Sequence, residues 1–147
     1  VHLYPRNRIR VLVKGEISPV KLDIGRFEQV IGNLISNASK YGYPEATIEI
    51  DMTQKGDGSL EVAVTNEGKG IQPEDFKGLF QRFHRTQLGK MEGIKGIGLG
   101  LYITRGLVEA HGGRITAESV PNQKTTFRIE LPVGEADDSE KERSYAG

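Results

Sequence analysis

Two groups of residues have types and spacings suited to phosphate and metal chemistry. In "EQVIGNLISNASKYG", Asn33, Asn37 and Lys40 fall at i, i+4 and i+7, with Gln29 one turn earlier, so a helix through them carries a seam of amides and an amine. An amide oxygen is a hard, neutral ligand suited to Mg²⁺, and the same seam can hold phosphates or water. A merely solvated helix face is the other reading of these residues. In "GIKGIGLGLYITRG", Gly96, Gly98 and Gly100 alternate at the mouth of a helix, where free backbone N–H groups and the positive end of the dipole favour an anion such as phosphate. No Gly-Lys-Ser/Thr follows, so this is not a P-loop, and Leu101 breaks a G-x-G-x-x-G count begun at Gly96. Close helix packing is the competing use of such small residues.

The segment between them, "RFHRTQLGKMEGIK", has no periodicity and sets Arg82, Arg85, Lys90 and Lys95 against Glu92 alone. It reads as a mobile basic loop of the kind that serves as a lid, with Leu79, Phe80 and Phe83 pinning its root to the core. The fourth feature is "VTNEGKGI". Strand parity puts Asn66 on the face of Leu60, Val62 and Val64 and turns Glu67 away, while Gly68 and Gly70 leave room for a flat ligand beside Ile71. An Asn satisfied by its own turn is the alternative.

The elements that must position these groups show as periods. From Ile24 to Tyr41, Phe27, Val30, Ile31, Leu34, Ile35 and Ala38 form one helical face behind Asp23 as N-cap. "TIEIDMT" and "LEVAVTN" alternate Ile48, Ile50, Met52 and Leu60, Val62, Val64 to one side of a hairpin turned at "KGDGS". Leu99, Tyr102, Ile103, Leu107 and Ala110 repeat the helical spacing until His111-Gly112-Gly113 ends it, and "TTFRIEL" alternates Phe127, Ile129 and Leu131. One-faced helices and one-faced strands imply an α/β protein of two layers, a mixed, mostly antiparallel sheet covered on one face by helices. That domain is expected over residues 1–133, followed by a charged, disordered tail over residues 134–147.

Composition narrows the function classes. Twenty Lys and Arg against twenty Asp and Glu give no net charge, so nothing global argues for nucleic acid or an anionic membrane, and any anion site must be built locally. The absence of cysteine excludes disulfides, thiolate metal sites and Cys nucleophiles. No run approaches a transmembrane length, so the chain is expected to be soluble as given, with a piece cut from a longer membrane protein as the alternative.

In this order, the four segments resemble the ATP-binding domain of sensor histidine kinases, within the group that includes gyrase B, Hsp90 and MutL. The likeness spans Arg10 to Val133: "QVIGNLISNASKYG" looks like the N box, "NEGKGI" the first glycine box, "LFQRFHR" the F box and "GIGLGL" the second glycine box. It implies a Bergerat-type fold that binds ATP with Mg²⁺ and passes the γ-phosphoryl group to a histidine on a separate dimerisation domain, from which it goes to a response-regulator receiver. Carried over residue by residue, it implies that Asn37 holds the metal and that Asn33 and Lys40 meet phosphates or metal-bound water. Tyr41, Asn66, Gly68, Gly70, Ile71 and Thr126 would line the nucleotide. Arg85 would reach the γ-phosphate, with Lys40 and Arg85 as the catalytic pair, and Lys95, Gly96, Gly98, Leu99 and Gly100 would close over the phosphates.

Three departures qualify that expectation. Asn66 stands where the family usually has an Asp, keeping an acceptor without the charge. Asn122-Gln123-Lys124 replaces the third glycine box. The histidines are His2, His84 and His111, and none lies in an acceptor motif, so the chain is not expected to phosphorylate itself. Asn33 occupies the place of the water-activating Glu of hydrolysing relatives, which favours transfer over hydrolysis. A degenerate domain kept for partner binding or switching is the competing expectation.

Overall fold

A computed structural model of the chain describes residues 8–17, 22–81 and 100–132, the side chains of Lys40 and Tyr41 excepted. Its elements are strand β1 (Ile9–Lys14), helix α1 (Ile24–Tyr41), strands β2 (Ile48–Gln54) and β3 (Leu60–Glu67), a 3₁₀ turn (Pro73–Gly78), helix α2 (Gly100–Ala110), and strands β4 (Arg114–Val120) and β5 (Lys124–Leu131). They form a five-stranded sheet in the order β1-β2-β3-β5-β4, parallel only between β1 and β2. The two-layer, mostly antiparallel sandwich read from the periods is therefore the observed architecture.

α1 begins at Asp23, whose carboxylate accepts from the Arg26 N–H at 3.0 Å, satisfying one of the free donors of the first turn. Val30, Leu34, Ile35 and Ala38 are buried against Ile48, Ile50, Val62 and Val64 of the sheet. Each of the larger ones, such as Val30, Leu34 and Ile35, contributes about 1.5–3 kcal/mol when fully buried. Phe127, Ile129 and Leu131 of β5 complete the layer, and Phe80 stands edge-on to Phe127 with centroids 6.4 Å apart. Leu79 is buried beside them, so both described residues of the "LF" root serve as anchors; Phe83 lies outside the described residues.

The uncovered face of the sheet is charged. Arg10 pairs with Glu49, Lys55 with Glu61 and Glu130, Arg114 with Glu130, and Arg128 with Glu61 and Glu118. Arg128 Nε comes within 2.7 Å of a Glu61 oxygen yet off the hydrogen-bonding direction, so this contact is an ion pair only.

Two elements differ from the sequence expectation. The face of α2 that packs inward is Leu101, Thr104, Leu107 and Val108, so Leu107 falls as expected, while Tyr102 and Ile103 are 40% and 38% exposed and Ala110 is exposed. The apolar spacing was real but offset, because the hydroxyl of Thr104 is satisfied within the fold and so tolerates a core position. Strand β1 went unread, since Arg10, Leu12 and Lys14 give it no clean polar face and Ile9, Val11 and Val13 remain 43–56% exposed at the sheet edge. The expected tail from Gly134 lies outside the described residues.

Candidate functional site

Asn33 and Asn37 are half-buried along α1, on the seam predicted beside its apolar stripe. Lys40 and Tyr41 fall in the last turn of the same helix. The helix then ends against β3: Gly42 bridges Gly68, and the Tyr43 N–H donates to Glu67 O at 2.8 Å. A side chain at Gly42 would come within 2.5 Å of Ala38 O, 3.2 Å of Glu67 O and 3.3 Å of Asn66 Nδ2. This bare backbone lets the amide seam and Asn66 share one site.

Strand parity places Asn66 as expected. It is paired with Thr125 on β5, which is paired in turn with Ser119 on β4. These three cap the inward face above Val64, Phe127 and Ala117 with a polar row. Ser119 Oγ accepts from the Ile71 N–H at 2.8 Å and lies 3.2 Å from Thr125 Oγ1. Asn66 is different. It is 3% exposed, and among the described residues its side-chain amide has no hydrogen-bond partner. Neither amide atom is sealed away unpaired, and the side chain lies beside Gly42, so its donors and acceptor stand where a ligand can reach them.

The loop after Asn66 is shaped by glycine. Gly70 has φ +80°, and a Cβ there would meet Ser119 Oγ at 2.7 Å and Pro121 Cα at 3.1 Å. Gly68 donates to Gln123 O at 3.0 Å, and Asn122 donates to Lys69 O at 2.8 Å. The turn at Pro121–Gln123, with Asn122 at φ 63°, thus braces the first glycine loop even without glycines of its own.

One expected contact moves. Thr126 faces the charged side of the sheet, where its hydroxyl lies 3.0 Å from that of Thr65, because neighbouring residues of a strand point to opposite faces. Thr125 is the threonine on the Asn66 side. Ser119 had also escaped notice, although the alternation Ile115, Ala117, Ser119 carries the same parity signal.

The second group of expected residues is only partly in view. Gly100 opens α2, while Arg85, Lys95, Gly96, Gly98 and Leu99 lie outside the described residues. α2 is tied to the seam through Thr104, whose buried hydroxyl donates to Gly100 O at 2.7 Å and accepts from Asn33 Nδ2 at 3.2 Å. Among the described residues no cluster of His, Asp or Glu forms a metal cage. The amide oxygen of Asn37 suits Mg²⁺, which usually takes one or two protein ligands and completes its shell with phosphate and water. A small apolar crevice lies elsewhere, between Leu22, Phe27, Val108 and His111, and lacks the polar groups of the Asn66 row.

Known proteins share this arrangement. The sensor protein IrlS of Burkholderia pseudomallei is 33% identical over 125 residues, covering 85% of this chain and 26% of that protein. Sensor histidine kinase WalK of Bacillus subtilis is 39% identical over 119 residues, 79% of this chain and 19% of its own length. The chain therefore spans about a fifth to a quarter of these curated relatives. Among solved structures, the catalytic domain of histidine kinase ThkA superposes with a TM-score of 0.73 at 30% identity, covering 86% of this chain and 79% of that one. Full-length ShkA in complex with AMPPNP gives 0.77 at 25% identity, covering 91% and 28%. The family model described as "Histidine kinase-, DNA gyrase B-, and HSP90-like ATPase" matches residues 22–135, from the start of α1 past the end of β5. With the seam, Asn66 and the glycine-braced loop occupying one end of that matched fold, the chain belongs to this family and matches the catalytic domain of sensor histidine kinases.

Proposed function

We propose that the domain binds ATP with Mg²⁺ between Asn66 and the α1 seam and donates the γ-phosphoryl group to a histidine on a separate dimerisation domain. The observation that carries this is the place of Asn66, on the inward face at the end of β3 and beside the end of α1, with its amide making no hydrogen bond among the described residues. Its carbonyl can accept from the exocyclic amine of adenine while its N–H₂ donates to a ring nitrogen, which pairs both ends of the amide. Thr125, Gly68, Gly70 and Ile71 line the base around it.

Asn37 would hold the metal, with Asn33, Lys40 and Tyr41 along the same helix. At Asn37 a magnesium ion would supply positive charge to offset that of the phosphates. Arg85 would act at the γ-phosphate, and Lys95, Gly96, Gly98, Leu99 and Gly100 would supply backbone and charge around the phosphates. The transfer breaks the bond between the γ-phosphorus and the bridging oxygen, releases ADP, forms a phosphorus–nitrogen bond to the imidazole and gives up the imidazole proton. The protein's part is positioning and charge stabilisation, since no residue of this chain becomes covalently attached.

The partners under this reading are the dimerisation and phosphoacceptor domain of the same kinase and a response-regulator receiver. No nucleic acid takes part. The domain makes no direct membrane contact of its own and works on the cytoplasmic side. Among the described residues no helix is long and apolar enough to cross a membrane. Mixing this chain with a matched dimerisation domain and γ-labelled ATP tests the proposal. Label on the acceptor histidine, lost in Asn37→Ala, is the expected outcome. Nucleotide binding without any transfer would favour the non-catalytic reading, which the neutral Asn66 and the Asn122-Gln123-Lys124 turn also support.

A further inference from the structure

Thr104 has no exposed surface, although it carries a hydroxyl in the middle of a helix face that packs on the core. Its Oγ1 lies 2.7 Å from Gly100 O and 3.2 Å from the Asn33 amide. A backbone carbonyl only accepts, so the single hydroxyl hydrogen points at Gly100 and the oxygen is left to accept from Asn33. Whichever end of the Asn33 amide faces Thr104 must therefore be the N–H₂ end, a conclusion drawn from donor and acceptor balance rather than from how the amide is placed. Oδ1 is left as its free end, one helical turn from Asn37 on the same seam.

We propose that Thr104 is a positioning residue that sets the polarity of Asn33. The amide then offers the site an acceptor, suited to metal-bound water, and withholds its donors from phosphate. The proposal rests on the nucleotide reading above. It also ties the first turn of α2 at Gly100 to the metal-holding helix through one hydroxyl. Supporting groups of this kind typically account for about 10–100-fold in metal affinity.

Thr104→Val keeps the shape and removes the hydroxyl, and Thr104→Ser keeps the hydroxyl. This chain and both variants are titrated with ADP, with and without Mg²⁺. Expected in Thr104→Val is an unchanged magnesium-free affinity with a loss of about tenfold in the gain that magnesium gives. Thr104→Ser retains that gain. In parallel, the Asn33 side-chain N–H₂ resonances, identified by their absence in Asn33→Asp, stay protected from exchange in the wild type and Thr104→Ser and lose protection in Thr104→Val.

A Thr104→Val protein with the wild-type magnesium gain overturns the proposal and leaves the nucleotide reading standing. Equal weakening with and without magnesium, accompanied by a lower melting temperature, makes Thr104 a packing residue only and also overturns it. A wild-type chain that binds no ADP overturns both.

Discussion

Asn66 is worth more to the ligand than to the fold. Its amide makes no hydrogen bond among the described residues, so replacing it by a similarly sized apolar residue removes no internal bond from the fold. Asn66→Leu is expected to leave the stability of the free domain in urea unfolding within about 1 kcal/mol of the wild type while destroying nucleotide binding. A packing residue would lose stability instead. Asn66→Asp supplies a charged acceptor, and it is expected to tighten ATP binding by about tenfold and widen the preference for adenine over guanine nucleotides, read by competitive titration. The position of Asn66 followed from strand parity alone, because one face of β3 is apolar and fixes the register. Thr126 shows where analogy outran parity: the same count along β5 puts Thr125 on the ligand side. Ser119 and Thr104 were harder to find, since a lone hydroxyl in a strand or helix gives no sign of which backbone group it will meet.

At the scale of elements, the site depends on how α1 and the first glycine loop meet the end of β3. Gly42→Ala would drive a methyl into Ala38 O and crowd Asn66, so it should cost about 1–3 kcal/mol and weaken nucleotide binding together. Gly106 is the contrast. It lies on the exposed side of α2 with nothing within 4 Å, and Gly106→Ala should stabilise by about 1 kcal/mol with binding unchanged. Thermal unfolding and ADP titration of the two variants side by side check this. The long helix, the hairpin and β5 were legible because each buries one clean apolar face. The inward face of α2 was not, since Thr104 is polar and Tyr102 and Ile103 are apolar but exposed. β1 was missed because its alternating Ile9, Val11 and Val13 stay exposed, and a parallel edge strand gives no turn signal to mark its pairing.

Across the whole molecule, a lattice of ion pairs lies on one face of the sheet and the proposed nucleotide site at one end of the other. Hydrogen bonds from Lys55 and then Arg114 hold Glu130 below the usual carboxylate range, and the bond to Glu130 raises Lys55 above the usual lysine value. A lowered acid contributes stability above its unfolded titration and loses it as pH falls through the folded value. A raised lysine contributes fully below its unfolded value and loses it as pH rises through the folded one. The lattice's contribution is thus level between the two ranges and declines at both extremes. Glu130→Gln should flatten the acid decline in urea unfolding between about pH 3 and pH 7, with less effect at high salt. Nucleotide binding draws on the opposite face and should be untouched by that change. The central claim is tested most directly by calorimetric titration of this chain with ATP, with and without Mg²⁺, beside Asn66→Leu. Binding of one ATP per chain, strengthened by magnesium and absent in Asn66→Leu, is the predicted result. No heat of binding from the wild type at millimolar nucleotide, or undiminished binding by the variant, would contradict it.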